Sequence, residues 1–518
     1  ASAGSAIASA SASASIAPYE RPLPKSASPE ALAHFVKARR LMRDAWVYEG
    51  YAELELALKA DPGLAAAHVL GFIYNGMRES YRSALALRDA LDDRDRGIVA
   101  VGDALFGATS DVIEADRRAR ELVARYPRDA ELLLVRRTIA IASFDFTRAA
   151  AFAREAFALD PTLYFALNFL GTDLENLGDF AEARNVYAQC LAASPNAAAC
   201  ISSAGWIDGY EGRCDLREQS LRKRLELSPE TPAVTQLLAL AIDANGASFD
   251  DALALLHRAG AGQAGAEHPQ NYYENQLALL HGAFTTALAG FARAEERAQS
   301  LQDESAHLEN TFGEAMAREE EGDVRGAARV ARDFLDRRSR YNDHEGITVF
   351  LLAPIAVRGG AMTKSEALAL PVVPARARPV TDARRAYWGD LLRLALVDDA
   401  ASAREVLAAL GGKAPRHRHI FDQEVDRSTY AFARAKELTG DFDGAIAAAA
   451  PVSTRCEQDG TLNLHATLLV GRAREAKGDN PDACEAYARV LARWGKATPR
   501  SVSADEARAR STALKCGK

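Results

Sequence analysis

Long apolar runs are missing from this 518-residue chain. The longest, ITVFLLAPIAV, is shorter than the roughly 18 residues that cross a bilayer and is interrupted by Pro354, so we expect no direct membrane insertion. A surplus of positive charge is missing as well: Lys and Arg number 63 against 71 Asp and Glu, for a formal net charge of -8. With no basic patch to follow a phosphate backbone, we expect no nucleic acid among the partners. Aromatic residues make up only 7%, while alanine is abundant, as close helix packing requires. Motifs for chemistry are missing too. The chain has no G-x-S-x-G, no G-x-x-x-x-G-K-[ST], no kinase catalytic loop and no D-F-G, which points to a protein that is not an enzyme and carries no cofactor.

Three short stretches come nearest to a chemical signature. GAGQAG at 260–265 satisfies G-x-G-x-x-G, but it follows the helical run DALALLHRA and precedes AEHPQ, where a dinucleotide site needs a strand before it and a helix after it. We read it as a loop between repeats. RHRHIFDQE brings His417 and His419 near Asp422 and Glu424, without the three or four well-spaced ligands that zinc requires. DHE at 343–345 lacks a second histidine at helical spacing. No metal is expected.

What is present is a repeat. Pro127, Pro161, Pro195 and Pro229 stand 34 residues apart, each after a helical run (ELVARYP, AFALDP, CLAASP, LELSP). With that proline at position 32, Gly171 and Gly205 fall at position 8, Gly178 and Gly212 at position 15, and Ala115, Ala149 and Ala183 at position 20. Small residues are needed where two helices approach closely, and Gly178-Asp179 punctuates one helix from the next. Tyr187 supplies an aromatic at position 24. A helix-turn-helix period of this kind resembles the tetratricopeptide repeat, TPR. LALKADP, ending at Pro62, adds a repeat from about Ala31, and a further one carries Gly71 at position 8 and Ala90 at position 27.

Two departures qualify the pattern. In the repeat from Ala198, positions 20 and 27 are Arg217 and Arg224, which puts the helix register in question. Beyond Pro229 the period loosens while helix pairs continue to the end of the chain. The resemblance implies an all-α, right-handed superhelical TPR solenoid of about eleven or twelve helix pairs with a terminal capping helix. We divide it into an Ala/Ser-rich disordered linker at 1–27, an N-terminal TPR array at 28–259 and a Gly-rich loop at 260–270. Degenerate repeats follow at 271–411, then a loop at 412–426 and C-terminal repeats with the cap at 427–518. The linker buries nothing, and the chain starts without Met, as a processed or excised piece would. Ser28 and Pro29 read as the N-cap and first residue of the first helix.

In TPR proteins, repeat positions 2, 5, 9, 12 and 13 of the inner helices face a concave groove. The resemblance places Phe165, Asn168, Thr172, Glu175 and Asn176 there in one repeat, Ser202, Trp206 and Tyr210 in the next, and Phe72 and Asn75 earlier. The implied function is a non-catalytic scaffold or sensor holding a protein or peptide, with Trp206 and Tyr210 as aromatic anchors. Chaperone-tail recognition wants Lys at position 5 and Asn at 9. Here His68 precedes Phe72 and Asn168 precedes Thr172, which disfavours it.

Six cysteines complete the reading. Cys484 opens the last outer helix, and the chain then turns at Pro499 and runs back from about Ser503, bringing Cys516 alongside it as a disulfide partner. Cys190 and Cys200 flank the Pro195 turn and form a second pair, whereas Cys200 and Cys214, at opposite ends of one helix, cannot pair. This predicts an extracytoplasmic location. The cysteine run from Cys190 and the end of the chain resemble the C-terminal TPR regions of bacterial membrane-anchored Ser/Thr protein kinases. The alternative implied by that resemblance is a regulatory region of a Ser/Thr protein kinase, or of another TPR-gated enzyme, whose catalytic domain is not in this chain.

Overall fold

The computed structural model describes residues 21–75, 78–107, 110–229, 232–260, 267–301, 304–337, 347–372, 382–414, 423–456 and 461–517. These residues contain 27 α-helices and no extended strand. The chain is an all-α solenoid of TPR-like helical repeats, in which successive helices pack on one another from Pro29–Arg43 to Val112–Arg125 and from Ala198–Tyr210 to Val502–Ala513. It divides into two compact units. The first comprises residues up to 141 with 147–170 and 192–197, and the second comprises 142–146, 171–191 and the chain from 198 onward.

Helix Pro29–Arg43 opens the first unit as expected, with the Ser28 hydroxyl accepting from the Ala31 N–H at 3.1 Å. Residues 21–27, assigned to the linker on composition, are held against the fold: Arg21 donates to Asp95 at 2.8 Å and Ser26 to Asp61 at 2.5 Å. Behind them lies a buried ion network. Arg94 donates to Asp129, Asp95 and Glu131 at 2.8 to 3.1 Å, and the Tyr74 hydroxyl donates to Glu131 at 3.1 Å. Burial alone would raise the Glu131 carboxyl, but the surrounding Arg94, Arg39, Arg21 and Arg43 outweigh it and hold its pKa at about 2.

The position-15 glycine has a conformational reason. Gly178 closes helix Tyr164–Leu177 at φ 79°, its N–H bonding the Glu175 carbonyl while the Asp179 N–H bonds that of Leu174, both at 2.9 Å. This is a Schellman turn, and it needs a left-handed residue. The same pair of bonds recurs at Gly212, to the carbonyls of Gly209 and Asp208. Ala45 (φ 62°) and Phe144 (φ 55°) adopt the conformation at the equivalent position of earlier repeats. From Phe144 through Gly178 and Gly212 to Gly246 the spacing stays 34 residues. The left-handed residues Gly282, Gly322 and Gly360 then follow at intervals of 36, 40 and 38, and Gly440 and Gly478 stand 38 apart. The repeat therefore lengthens after Pro229 and keeps its turn.

Position 8 is set by packing. A Cβ on Gly171 would sit 2.3 Å from the Tyr187 ring, and one on Gly471 would sit 2.5 Å from that of Tyr487. Each tyrosine then donates to the glutamate one turn beyond its glycine, Tyr187 to Glu175 at 2.6 Å and Tyr487 to Glu475 at 2.5 Å. The repeat from Ala198 keeps its register despite its arginines. The stem of Arg217 runs over Gly209, where a Cβ would lie 3.3 Å from it, and its guanidinium donates to the Ser202 carbonyl at 3.1 Å. Arg224 is fully buried. Glycine on the inner helix leaves room for a long side chain on the outer one.

All six cysteines are paired. Cys190–Cys200 and Cys484–Cys516 form as expected, the latter with Cα atoms 5.5 Å apart. Cys214–Cys456 joins positions 242 residues apart, a link the sequence reading did not make. Within the second unit the end of the chain returns to earlier repeats. Trp494 Nε1 donates to the Leu279 carbonyl at 2.8 Å, Arg493 to Asp243 at 3.0 Å, and the Thr498 N–H to the Gly282 carbonyl at 2.9 Å. The terminal helix Val502–Ala513 is fixed by Glu320, which accepts from Ser501 Oγ (2.5 Å), Ser503 N–H (2.9 Å), Ser503 Oγ (2.9 Å) and His465 Nε2 (2.8 Å). Burial pushes the Glu320 carboxyl up, but these donors outweigh it and hold it below the ordinary glutamate value.

Two outcomes follow. Gly171→Ala forces the Tyr187 ring aside and should cost about 1 to 3 kcal/mol in denaturant unfolding, with a smaller cost in a Tyr187→Leu background where the ring is gone. A lowered folded-state pKa stabilises above the unfolded value of about 4.3, and that stability is lost as pH falls through the folded value. Thermal melts of the wild type should therefore fall with acidification below about pH 4.3, and Glu320→Gln should be less stable at neutral pH with a flatter acid limb.

Candidate functional site

The groove positions expected in the N-terminal array are not open. Phe72 is buried against Tyr81 and Phe106, with ring centroids 6.3 and 6.1 Å away, and Phe165 is buried against Tyr74 and Phe169 at 5.3 and 4.3 Å. Asn168 and Glu175 are buried, and Glu175 is the acceptor of the Tyr187 hydroxyl. Asn176, also buried, donates to the Thr172 carbonyl of its own helix at 2.8 Å. Thr172 and Ser202 are half-buried. Trp206 and Tyr210 are 7% and 8% exposed and covered by Arg455, whose guanidinium lies 3.4 Å over the Tyr210 ring. The open-groove reading fails for Phe72, Phe165, Asn168, Glu175, Asn176, Trp206 and Tyr210, which are buried among neighbouring side chains, and leaves Thr172 and Ser202 half-buried. The side chain of Asn75 lies outside the described residues, as do the glycines of the loop at 261–265, the DHE stretch at 343–345, His417, His419, Asp422 and the side chain of Glu424. Among the described residues no group of three or more His, Cys, Asp or Glu is placed to hold a metal.

The positional rule itself holds further along the chain, once the left-handed residues fix the register. With Gly322 at position 15, Phe312, Met316, Glu319 and Glu320 take positions 5, 9, 12 and 13. With Gly360 there, Phe350, Pro354 and Arg358 take 5, 9 and 13. Gly440 places Arg427, Tyr430 and Arg434 at 2, 5 and 9, and Gly478 does the same for His465, Leu468 and Arg472. All of these line one cavity of about 360 Å³ within the second unit, with Leu394 and Val502 among its other walls. Four inner helices, Glu304–Glu321, Ile347–Arg358, Gln423–Leu438 and Leu462–Ala476, thus present the same face to one space.

Its chemistry is amphipathic. Phe312, Met316, Phe350, Pro354 and Leu468 give an apolar floor, and arginines stand around it. Arg358 is held by two hydrogen bonds to Glu319 at 2.8 and 2.7 Å, and Arg472 by two to Glu437 at 2.7 and 3.0 Å. Arg427 lies 4.0 Å over the Phe312 ring. Arg434 makes no ion pair with any other described residue. Ser503 and His465 in the lining both donate to the Glu320 carboxylate. Sequence reasoning missed this lining because the proline ruler stops at Pro229. The signal that finds it is the glycine at the end of each inner helix.

No protein-family model and no curated protein matches the sequence. Among solved structures the chain is similar to a human IFIT1 dimer with m7Gppp-AAAA, at 13% identity and TM-score 0.33, covering 91% of each chain. It is also similar to a human IFIT1 dimer with PPP-AAAA, at 14% identity and TM-score 0.34, covering 89% of this chain and 94% of that one. Nothing in these comparisons carries the resemblance to kinase-associated arrays. One expectation is overturned by them. Those structures hold m7Gppp-AAAA and PPP-AAAA where no nucleic acid was expected among the partners, and a formal net charge of -8 does not by itself exclude one. Net charge averages over a surface, whereas an anion meets only the local side chains.

Proposed function

We propose that the chain is a non-catalytic binding module that takes a peptide segment of a protein partner in the cavity of its second unit. The observation that supports this is the convergence of inner-face positions from four helix pairs on one space of about 360 Å³, a volume in the usual range for ligand pockets. An apolar floor with orienting arginines is what a short segment with a large apolar side chain and a neighbouring anion would need, and Arg434 is the arginine left to meet that anion. Three disulfides support an extracytoplasmic setting.

Selection from a random peptide display library on the purified protein tests the reading. We expect a consensus that pairs an acidic with an apolar residue, and a loss of binding of roughly tenfold or more with Arg434→Glu or Phe312→Ala, the Arg434 variant retaining the wild-type melting temperature. A selection that does not converge, or peptides indifferent to Arg434→Glu, would overturn it. Calorimetry with ATP should give no binding heat and no turnover, in keeping with a module that has no phosphate-binding loop.

A further inference from the structure

The inner face of the repeat from Ala198 is occupied by the chain itself. Trp206 and Tyr210 lie with ring centroids 5.2 Å apart, and Phe180 stands 4.7 Å from Tyr210. Into this cluster comes the guanidinium of Arg455, 3.4 Å over Tyr210 and 6.0 Å over Trp206, with the Asp426 carboxylate as its ion-pair partner. Aromatic faces beside a carboxylate suit a planar guanidinium better than an ammonium, because the flat ion stacks while its N–H fork donates.

Arg455 reaches the cluster on a short strap that follows helix Phe442–Ser453. Two contacts hold the strap to the turn after helix Ala198–Tyr210: the Cys456 N–H donates to the Gly209 carbonyl at 3.3 Å, and Thr454 packs so closely on Gly212 that a Cβ there would lie 2.9 Å from it. The covalent tie is Cys214–Cys456. Cys456 is fully buried, but Cys214 is half-exposed at a polar cavity of about 340 Å³ that Asp215, Asn245 and Arg489 also line. A thiol arriving from solvent therefore meets the sulfur of Cys214. Cys190–Cys200 is buried on both sides, and Cys484–Cys516 ties helix Asn480–Trp494 to the turn that follows helix Val502–Ala513.

We propose that this cluster is an arginine-recognition site filled by the chain's own Arg455, and that the Cys214–Cys456 disulfide is the latch that keeps it filled. The thiolate of a dithiol reductant attacks Cys214 Sγ, the S–S bond breaks, and Cys456 leaves as a thiolate that takes up a proton. The reductant's second thiol then attacks the mixed disulfide, which frees Cys214 as a thiol and converts the reductant to its disulfide. With the strap untied, Arg455 can leave the cluster, and an arginine of a partner peptide then competes with it at the tether's effective concentration. The site is separate from the cavity of the second unit, so either reading can fail without the other.

The test uses the full chain and a pentapeptide with one arginine between glycines, with its citrulline counterpart as the neutral isostere. Truncating Trp206 would empty the core, so the variants are made in the strap. Protein reduced by dithiothreitol, with thiols counted by intact mass, should bind the arginine peptide roughly tenfold tighter than oxidised protein and should be cut by trypsin after Arg455 at least roughly tenfold faster. Oxidised Arg455→Ala, or Arg455→Met if the alanine variant does not fold, should bind the peptide without reduction. Cys484→Ser with Cys516→Ser should behave as wild type. Equal binding of the citrulline peptide, or no binding by either oxidised Arg455 variant, would remove the arginine site. Continued protection of Arg455 in protein shown to have Cys214 and Cys456 free would remove the latch.

Discussion

The left-handed residue that ends most of the described inner helices, from Ala45 to Gly478, is the constraint on which the remaining structure depends. It ends one helix, reverses the chain and so fixes which residues of that helix face inward. Gly178 does this by placing two N–H groups on the last carbonyls of helix Tyr164–Leu177, and the same bonds recur at Gly322, Gly440 and Gly478. Once the turn is fixed, the side chain five residues from the start of a repeat and the one nine from it are neighbours on one face. Phe312 and Met316, Tyr430 and Arg434, and Leu468 and Arg472 are placed in this way, and they line a single cavity.

This explains how far the sequence could be read. The fold class was legible because alanine, glycine and proline recur with a steric purpose, and Gly171 against Tyr187 is that purpose made visible. Cys190–Cys200 was legible because a turn of ten residues brings its partners together, and Cys484–Cys516 because one helical return does the same. Cys214–Cys456 was not, since no local rule relates residues 242 apart. The candidate cavity was hidden by the choice of ruler. Proline at position 32 is a preference that the later repeats drop, whereas a left-handed residue at the turn is kept at Gly246, Gly282, Gly322, Gly360, Gly440 and Gly478. Phe144 shows the need is conformational rather than chemical, because a bulky side chain accepts φ 55° there.

Burying charge is the other recurring device, and it separates structural from available groups. Glu131 in the first unit and Glu320 in the second are each surrounded by donors, so each carboxylate is stabilised in place and withdrawn from chemistry. Glu175 and Glu475 are committed to tyrosines in the same way. An inward position is thus no guide to function by itself: Glu175 is buried under the Tyr187 hydroxyl, whereas Glu319 pairs with Arg358 on the cavity wall.

The same logic bears on the arginines. A guanidinium with two bonds to a carboxylate, as at Arg358 and Arg472, is held in one geometry and adds little to recognition beyond shape. Arg455 is held as firmly, but by aromatic faces and one carboxylate belonging to distant parts of the chain, joined by a bond that chemistry can open. Arg434 stands between these cases, placed by its helix on the cavity wall with no ion pair to another described residue. A net charge of -8 describes none of this, since what a ligand meets is the small set of side chains that the turns direct inward and that no carboxylate has already taken.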